Sequence, residues 1–443
     1  MKANEGASAD KRGRRAADFA ETVRDAAAGR NPTVGKDGAR PTGVGGKNAG
    51  GHSSRHDALW REGVEEVARQ GLRRELPSAA YHPALSDEKA PLVLCSNDYL
   101  ALSGDPRLRD AAVRAFDEDG CGSTGSRLLS GNSRFHLELE EELTDFTGCE
   151  ACLLFSSGYH VNVGAIPVIA AKAEVVFSDE LNHASVIDGC RLSRTKTVTY
   201  RHRDVNHLES LLKRSGKGPK LIITEGVFSM DGDVAPVAEL VELARAHGAI
   251  LMIDDAHGFG CLGPDGRGTP EEAGVTEGID IYVGTLGKAM GAMGGFVGGS
   301  QALIDYLTST ARALLYSTAL PPPVCAAAAE ALRIVRSEPW RREKLRSLSD
   351  MLRRELRTAG LDTGLSSTHI IPVIVGSGDR ALRLARLLEE KGYLTRAIRF
   401  PTVPKGSERI RLSLRCDFTE EALKALARTL GEEAGKLGLG RGL

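Results

Sequence analysis

The chain carries almost no net charge: 58 lysines and arginines stand against 59 aspartates and glutamates, leaving -1 over 443 residues. That balance argues against a whole-molecule attraction to nucleic acid or to an anionic membrane, so small-molecule partners are expected. No apolar run approaches the roughly 20 residues that a membrane-spanning helix needs. The N-terminus also lacks the apolar core of a signal peptide. Aromatic residues are sparse at 5%. Eight cysteines (Cys95, Cys121, Cys149, Cys152, Cys190, Cys261, Cys325 and Cys416) are scattered through a chain too long to need disulfide stapling. This usage points to a reducing, cytoplasmic setting. Cys149-Glu150-Ala151-Cys152 matches C-x-x-C, but no second pair or histidine pair follows at zinc spacing. Two small residues at a helix-to-strand junction is the favoured reading there, ahead of a redox or metal role, and no metal is expected.

What is present is ordinary globular material, 41% hydrophobic and 26% charged, long enough for a large core and for two domains. Residues 1–55 are rich in Gly, Ala, Lys and Arg and read as a disordered tail. Asp10, Asp18, Glu21 and Asp25 make a transit peptide the weaker reading, because such peptides avoid acidic residues. Residues 56–100 read as a helix, ending near Leu72, and an extended segment at 92–95. From 101 to 322, short apolar runs at 153–155, 175–177, 221–224, 250–253 and 279–283 are predicted strands separated by helical periodicity. One such helix, at 238–247, stops at Gly248. Repeated strand-helix-strand gives a mainly parallel sheet covered by helices. Beyond Pro321-Pro322-Pro323, residues 323–443 read as a smaller α/β unit, with strands at 370–375 and 409–414 and a last helix begun by Asp417.

The most informative feature is a pair. Ile253-Asp254-Asp255-Ala256-His257-Gly258 closes one apolar run, and Thr285-Leu286-Gly287-Lys288 closes another. An aspartate and a lysine thus fall at the carboxyl ends of predicted buried strands, where α/β sheets bind ligands. Pyridoxal phosphate chemistry wants this pair. The lysine amine forms a Schiff base with the aldehyde, and the carboxylate keeps the pyridinium nitrogen protonated so that the ring accepts electrons from a substrate carbanion. Taken singly, Asp254 reads as a strand-end cap, Lys288 as a solvated lysine, and His183 and His257 as loop histidines; their joint order carries the reading. The glycine-rich stretches 120–125 and 291–299 read as turns, since neither shows G-x-G-x-x-G between strand and helix.

In order along the chain stand Ser96-Asn97-Asp98-Tyr99-Leu100, Gly122-Ser123-Thr124-Gly125-Ser126-Arg127 with Ser130-Gly131, Ser157-Gly158-Tyr159, Asn182-His183-Ala184-Ser185, the run from Glu225 to Asp233, and the two strand ends above. With these motifs the chain resembles the α-oxoamine synthases, fold-type I pyridoxal phosphate enzymes that condense an amino acid with an acyl thioester and lose carbon dioxide. The resemblance implies an α/β transferase fold, with a large domain built on a mainly parallel, helix-covered sheet and a smaller C-terminal α/β domain. It implies pyridoxal 5'-phosphate held by Lys288 as the Schiff-base lysine, Asp254 at the ring nitrogen, His257 at the ring hydroxyl, Ser229 near that hydroxyl and His183 stacked on the ring. Ser157, Gly158 and Tyr159, opening a helical stretch, suit the phosphate, and Thr285 adds a hydroxyl. Ser317 and Thr318 would reach the phosphate of a neighbouring subunit, which implies a homodimer with shared active sites.

The run from Arg396 to Gly406, followed by Arg409-Ile410-Arg411-Leu412, looks most like the branch that joins L-alanine to a pimeloyl thioester, either pimeloyl-CoA or pimeloyl-acyl carrier protein. Leu72-Arg73-Arg74 agrees, whereas Phe400 and Glu75 depart from that branch's pattern. A bidentate guanidinium suits a substrate carboxylate. Arg399 is the first candidate for that contact, with Asn97 beside it and Arg411 second; Arg73 resembles a residue at the substrate entrance. Glycine-using branches that take succinyl-CoA or acetyl-CoA share the cofactor site. A non-catalytic partner subunit is a further reading, against which the presence of Lys288 speaks.

Overall fold

Runs of five or six β-branched and aliphatic residues can bury both faces only if helices cover them, and that demand organises the molecule. The computed structural model describes residues 56–74 and 91–439. The expected tail at 1–55 lies outside the described residues. Residues 56–74 belong to a unit of their own and carry one helix, α1 (Asp57–Arg69), whose Leu59, Trp60, Val64 and Val67 are exposed.

The second unit opens with a short strand, β1 (Leu92–Val93), and two helices. Asp105 caps the first, α2 (Pro106–Asp119), by accepting the Arg107 amide at 3.0 Å. The second, α3 (Arg134–Thr147), stops where Gly148 turns left-handed at φ 75. Strand and helix then alternate through β2 (Ala151–Phe155), α4 (Gly158–Ala170), β3 (Val175–Asp179), α5 (Ala184–Ser193), β4 (Lys196–Tyr200), α6 (Val205–Arg214), β5 (Lys220–Glu225), α7 (Val237–His247), β6 (Ala249–Asp254), the single-turn α8 (Thr269–Glu272) and β7 (Ile281–Thr285). The sheet order is β2-β8-β7-β6-β5-β3-β4, where β8 (Gly295–Gly299) runs antiparallel between β2 and β7 while β3 to β7 pair in parallel. Val176, Leu221, Ile223 and Met252 pack under α4 and α5; Phe177, Ile222, Leu251 and Ile253 pack under α6 and α7. All are essentially shut off from solvent, each contributing roughly 1.5–3 kcal/mol of hydrophobic stabilisation.

The glycine stretch at 291–299, expected as turns, is half strand. A Cβ at Gly295 would stand 2.7 Å from the Gly158 amide nitrogen, and one at Gly298 would meet Cys149 Sγ at 2.8 Å. Glycine serves here for close approach of neighbouring backbone and side chains within a sheet, not for reversal. Strand β4 has no counterpart among the expected strands because, as an edge, it is polar and largely exposed.

Helices α9 (Gln301–Thr310) and α10 (Arg312–Leu315) lead to α11 (Pro322–Ser337), which begins inside the proline run with proline in its first turn. After α12 (Trp340–Thr358) come β9 (Ile370–Ile374), α13 (Gly378–Glu390), β10 (Tyr393–Leu394), β11 (Arg396–Ile398), β12 (Arg409–Ser413) and α14 (Glu420–Lys436). Strands β11, β12 and β9 form an antiparallel sheet, and β10 pairs in parallel with β1. The cap of α14 is Thr419, which accepts the Ala422 amide at 3.2 Å, and not Asp417; that carboxylate is held by Arg415 at 2.6 Å. The Ser413 amide donates to the Leu94 carbonyl at 2.8 Å and the Cys416 amide to the Tyr99 carbonyl at 2.9 Å. These bonds stitch the extended segment onto the C-terminal sheet and bring residues 97–99 against β12.

Candidate active site

Five strand ends share one edge of the large sheet. Phe155 leads into Ser157, Asp179 into His183, Glu225 into Ser229, while Asp254 and Thr285 close β6 and β7 themselves. Glu225 and Asp254 are register partners, so two carboxyls lie side by side. Burial pushes the Glu225 carboxyl well above its usual range, and the neighbouring Asp254 pushes it the same way. One carboxyl of the pair is therefore kept neutral.

Lys288 follows β7 by three residues, and its Nζ lies 2.8 Å from His257 Nε2. His257 Nδ1 lies 2.7 Å from Tyr99 Oη, and Tyr99 donates its hydroxyl hydrogen to Asn97 Oδ1 at 3.0 Å. With that hydrogen committed, Tyr99 Oη accepts, His257 carries its proton on Nδ1, and its Nε2 lone pair faces the lysine amine. Burial, with Lys288 and Arg411 adding to it, pushes His257 well below its usual value and keeps it neutral. Arg411, on β12, completes the chain. It donates from Nε to the Ser229 carbonyl at 2.6 Å and from Nη1 to Asn97 Oδ1 at 3.1 Å and Ser413 Oγ at 2.6 Å. Its Nη2 reaches Tyr99 Oη at 3.4 Å. Burial pushes the Lys288 amine down to about 8 against the pull of Asp254 and Glu225.

A second chain orients His183. Asn162, on α4, donates to Asp254 Oδ2 at 2.6 Å and to Ser185 Oγ at 2.9 Å. Ser185 Oγ lies 2.7 Å from His183 Nδ1, which also accepts the Ser185 amide at 3.3 Å. An Nδ1 that accepts leaves the ring proton on Nε2, so His183 presents an N–H away from this network. Desolvation lowers the basicity of His183, opposed by Asp254 and reinforced by Lys288. Tyr159 stands edge-on to the His183 ring at 6.4 Å and donates to Asp188 at 2.5 Å.

At the third corner, Ser157 caps α4 by accepting the His160 amide at 3.1 Å. The first-turn amides of Gly158 and Tyr159 face out of the helix start, where anions bind. A Cβ on Gly158 would meet Thr285 Cβ and Oγ1 at 3.3 Å, so the helix start and the end of β7 are in close contact. Thr285 donates to the Gly294 carbonyl at 3.0 Å. Ser317 and Thr318 line a small hollow with Ser156 and His160, next to this corner. Arg399 lies after β11 with its side chain over Gly378. Arg73 lies in the N-terminal unit.

The structure therefore gathers Lys288, His257, Asp254, His183, Asn97 and Arg411 into two linked networks, with Ser157, Gly158, Tyr159 and Thr285 beside them. Sequence reasoning assigned no role to Tyr99, Asn162, Ser185, Glu225 and His369. His369 is buried with its ring centroid 4.0 Å from that of Tyr99, and burial pushes it down to about 3. A lone amide in the apolar run Val161-Asn162-Val163-Gly164-Ala165-Ile166 was the one available signal for Asn162. The donor set fits pyridoxal phosphate: a lysine amine of lowered basicity, a strand-end carboxylate, neutral histidines and a helix start for an anion. The carboxyl atom Glu225 Oε1 and the amide atom Asn162 Oδ1, both buried and unpartnered among the described residues, leave polar capacity next to this set.

The model of the family described as aminotransferase class I and II matches residues 89–430. The 8-amino-7-oxononanoate synthase of Alkalilimnicola ehrlichii is 48% identical over 352 residues, 79% of this chain and 90% of that protein. A solved structure of SPT with its PLP internal aldimine matches with a TM-score of 0.80 at 30% identity, covering 87% of this chain and 98% of that one. The 8-amino-7-oxononanoate synthase structure from Francisella tularensis matches with a TM-score of 0.70 at 27% identity, covering 80% and 100%. The chain belongs to the aminotransferase class I and II family and, within it, to the α-oxoamine synthases, fold-type I enzymes whose cofactor is pyridoxal phosphate.

Proposed function

We propose that the chain condenses L-alanine with a pimeloyl thioester, presented on CoA or on acyl carrier protein, to make 8-amino-7-oxononanoate for biotin assembly. The observation that carries this reading is the hydrogen-bonded line from Lys288 through His257, Tyr99 and Asn97 to Arg411, in a chain 48% identical to a synthase of that name. This line supports the reading because it would hold a proton-transferring amine and a carboxylate-binding guanidinium on one frame.

Pyridoxal phosphate, when bound, supplies an aldehyde that captures the amino acid and a ring that accepts electrons from its α carbon. Lys288 and Asp254 would hold it at its aldehyde and its ring nitrogen. His183 would pack on the ring and His257 would meet its hydroxyl, near Ser229. Ser157, Gly158, Tyr159 and Thr285 would take its phosphate. Arg411, its Nη2 only weakly engaged by Tyr99, binds the alanine carboxylate with Asn97 beside it. Arg399 remains the other candidate for a substrate carboxylate, and Arg73 is the candidate for the entrance. Burial, which pushes the Lys288 amine down to about 8, favours the neutral form that can take the α proton. His183 offers its Nε2–H to the thioester oxygen as charge develops there.

The enzyme acts as a homodimer in which Ser317 and Thr318 complete the phosphate site of the neighbouring subunit. No described helix is long and apolar enough to cross a membrane, and the free cysteines suit a reducing cytoplasm. The test is thiol release with L-alanine plus pimeloyl-CoA, run beside glycine plus succinyl-CoA and glycine plus acetyl-CoA. Release confined to the alanine and pimeloyl pair is expected; release confined to a glycine pair would overturn the substrate assignment and leave the cofactor site standing.

A further inference from the structure

At the amino ends of β6 and β7, on the opposite edge of the sheet from Lys288, a cavity of about 530 Å3 is lined by Thr147, Cys149, Lys172, Arg267, Tyr282 and Tyr306, among others. Cys149 and Glu150, the first two residues of the C-x-x-C sequence, lie on its wall. Gly148, at φ 75, reverses the chain between α3 and β2, so that Cys149 and Cys152 turn their sulfurs towards one glycine of β8. A Cβ on Gly298 would stand 2.8 Å from Cys149 Sγ and 3.2 Å from Cys152 Sγ. Both thiols therefore border the space that a single methyl group would fill.

The two cysteines are not equivalent. Cys152 is buried, whereas Cys149 is half-buried and reaches the cavity. Cys152 Sγ lies 3.7 Å from the Thr147 hydroxyl, whose oxygen also accepts the Cys149 amide at 3.4 Å. The neighbouring Cys152, opposed by burial, pushes the Cys149 thiol down to about 7, while Cys152 is pushed well above its usual value by Cys149 and by burial. An accessible sulfur backed by a sheltered one matches the division between an attacking and a resolving thiol.

We propose that Cys149 and Cys152 are a reversible oxidation site, at which a hydroperoxide entering through the cavity converts the two thiols to an intramolecular disulfide. The Cys149 thiolate attacks the peroxide oxygen and the O–O bond breaks. The leaving alkoxide or hydroxide takes up the proton that Cys149 lost, and Cys149 becomes a sulfenic acid. The Cys152 thiol then attacks the sulfenic sulfur, the S–S bond forms, and water leaves with the Cys152 proton. Two thiols are oxidised by two electrons, and one hydroperoxide is reduced to water and an alcohol, or to two waters when it is hydrogen peroxide.

Trypsin releases residues 135–172 as one peptide whose only cysteines are Cys149 and Cys152, which makes the site readable in the full-length protein. The reduced protein is treated with hydrogen peroxide, remaining thiols are alkylated, and peptides are weighed. The expected result is that this peptide loses two hydrogens and escapes alkylation, that dithiothreitol restores both alkylation sites, and that the exposed Cys121 is still alkylated at the same dose. In Cys152→Ser, dimedone should label Cys149 as the trapped sulfenic acid. Double alkylation of the 135–172 peptide at a dose that already oxidises Cys121 would overturn the proposal, and the wild-type peptide decides the matter even if the variant fails to fold.

Discussion

A lysine surrounded by carboxylates would ordinarily be more basic than a free one, yet Lys288 is pushed down to about 8 because burial outweighs Asp254 and Glu225. Glu225 assists by giving up its own charge. Replacing Lys288 with Ala removes the only amine in either network, so thiol release should fall to background and visible absorbance from covalently held cofactor should vanish; a retained steady-state rate would refute the assignment. Asn162 tests the second network. Its amide ties Asp254 to Ser185 and through it to His183, and bonds to a charged partner contribute about 1.5–3 kcal/mol. Asn162→Ala should therefore weaken cofactor binding or turnover by roughly 10–100-fold, measured by cofactor titration and by initial rates.

His202 supplies a residue-scale prediction about pH. Its Nδ1 lies 3.0 Å from Asp179 and its Nε2 2.9 Å from Asp233, a carboxylate that also pairs with Arg203 at 3.0 Å, while the edge of Phe228 packs against the ring. Burial opposes the charged form, but the hydrogen bonds that the ring donates to the two aspartates lift His202 to about 9. Asp179 leads into the His183 loop and Asp233 closes the loop that carries Ser229, so the imidazolium clamps two site-bearing loops. A raised value means that the stabilisation is complete below about pH 6.5 and lost as pH rises through about 9, with a full size on the order of 2–3 kcal/mol. Thermal midpoints of the wild type and His202→Gln, recorded from about pH 6 to about pH 10, should differ most in acid and converge in alkali. A gap that stays constant with pH would reduce His202 to packing alone.

At the scale of elements, what could be read from the chain follows from how each element is buried. Strands β3, β5, β6 and β7 are largely buried and appear in the sequence as predominantly apolar runs at 175–177, 221–224, 250–253 and 279–283. Polar β4, glycine-rich β8 and the short strands β10 and β11 carry no such run, because pairing with a neighbour defines them and composition does not. The site divides in the same way. Asp254 and Lys288 were legible because each ends a visible strand, and His183 and His257 because they stand in ordered motifs. Asn162 and His369 take their roles from partners distant in sequence, and Ser185 links one of them, Asn162, to its near neighbour His183. Strand β8 has a specific job at this scale: Gly295 leaves room for the Ser157–Gly158 turn, and a Cβ there would fall 2.7–2.8 Å from backbone atoms that cannot move without shifting the helix start. Gly295→Ala should cost about 1–3 kcal/mol in denaturant unfolding and weaken cofactor binding more than it alters turnover at saturating cofactor. An unchanged cofactor affinity would detach β8 from the phosphate corner.

For the whole molecule, the proposed sharing of sites between the subunits of a homodimer can be tested by mixing variants. Ser317 and Thr318 follow α10 and lie beside Ser156 and His160, at the margin of the phosphate corner of their own chain. Residues at such a margin can act across a two-fold axis, because an isologous interface brings the same edge of two subunits together. Consider a chain carrying Ser317→Ala and Thr318→Ala, impaired because both of its phosphate sites lack the hydroxyls, and a second chain carrying Lys288→Ala. If the hydroxyls serve the partner's site, a mixed dimer holds one intact site, made from the first chain's Lys288 and the second chain's Ser317 and Thr318. Random reassembly of equal amounts yields half mixed dimers, each with one working site of two, so activity should recover to about a quarter of the wild-type value. If the hydroxyls serve their own chain, every site in every dimer is defective and mixing restores nothing. The recovered activity after mixing, dilution and reassembly therefore separates a shared site from a self-contained one.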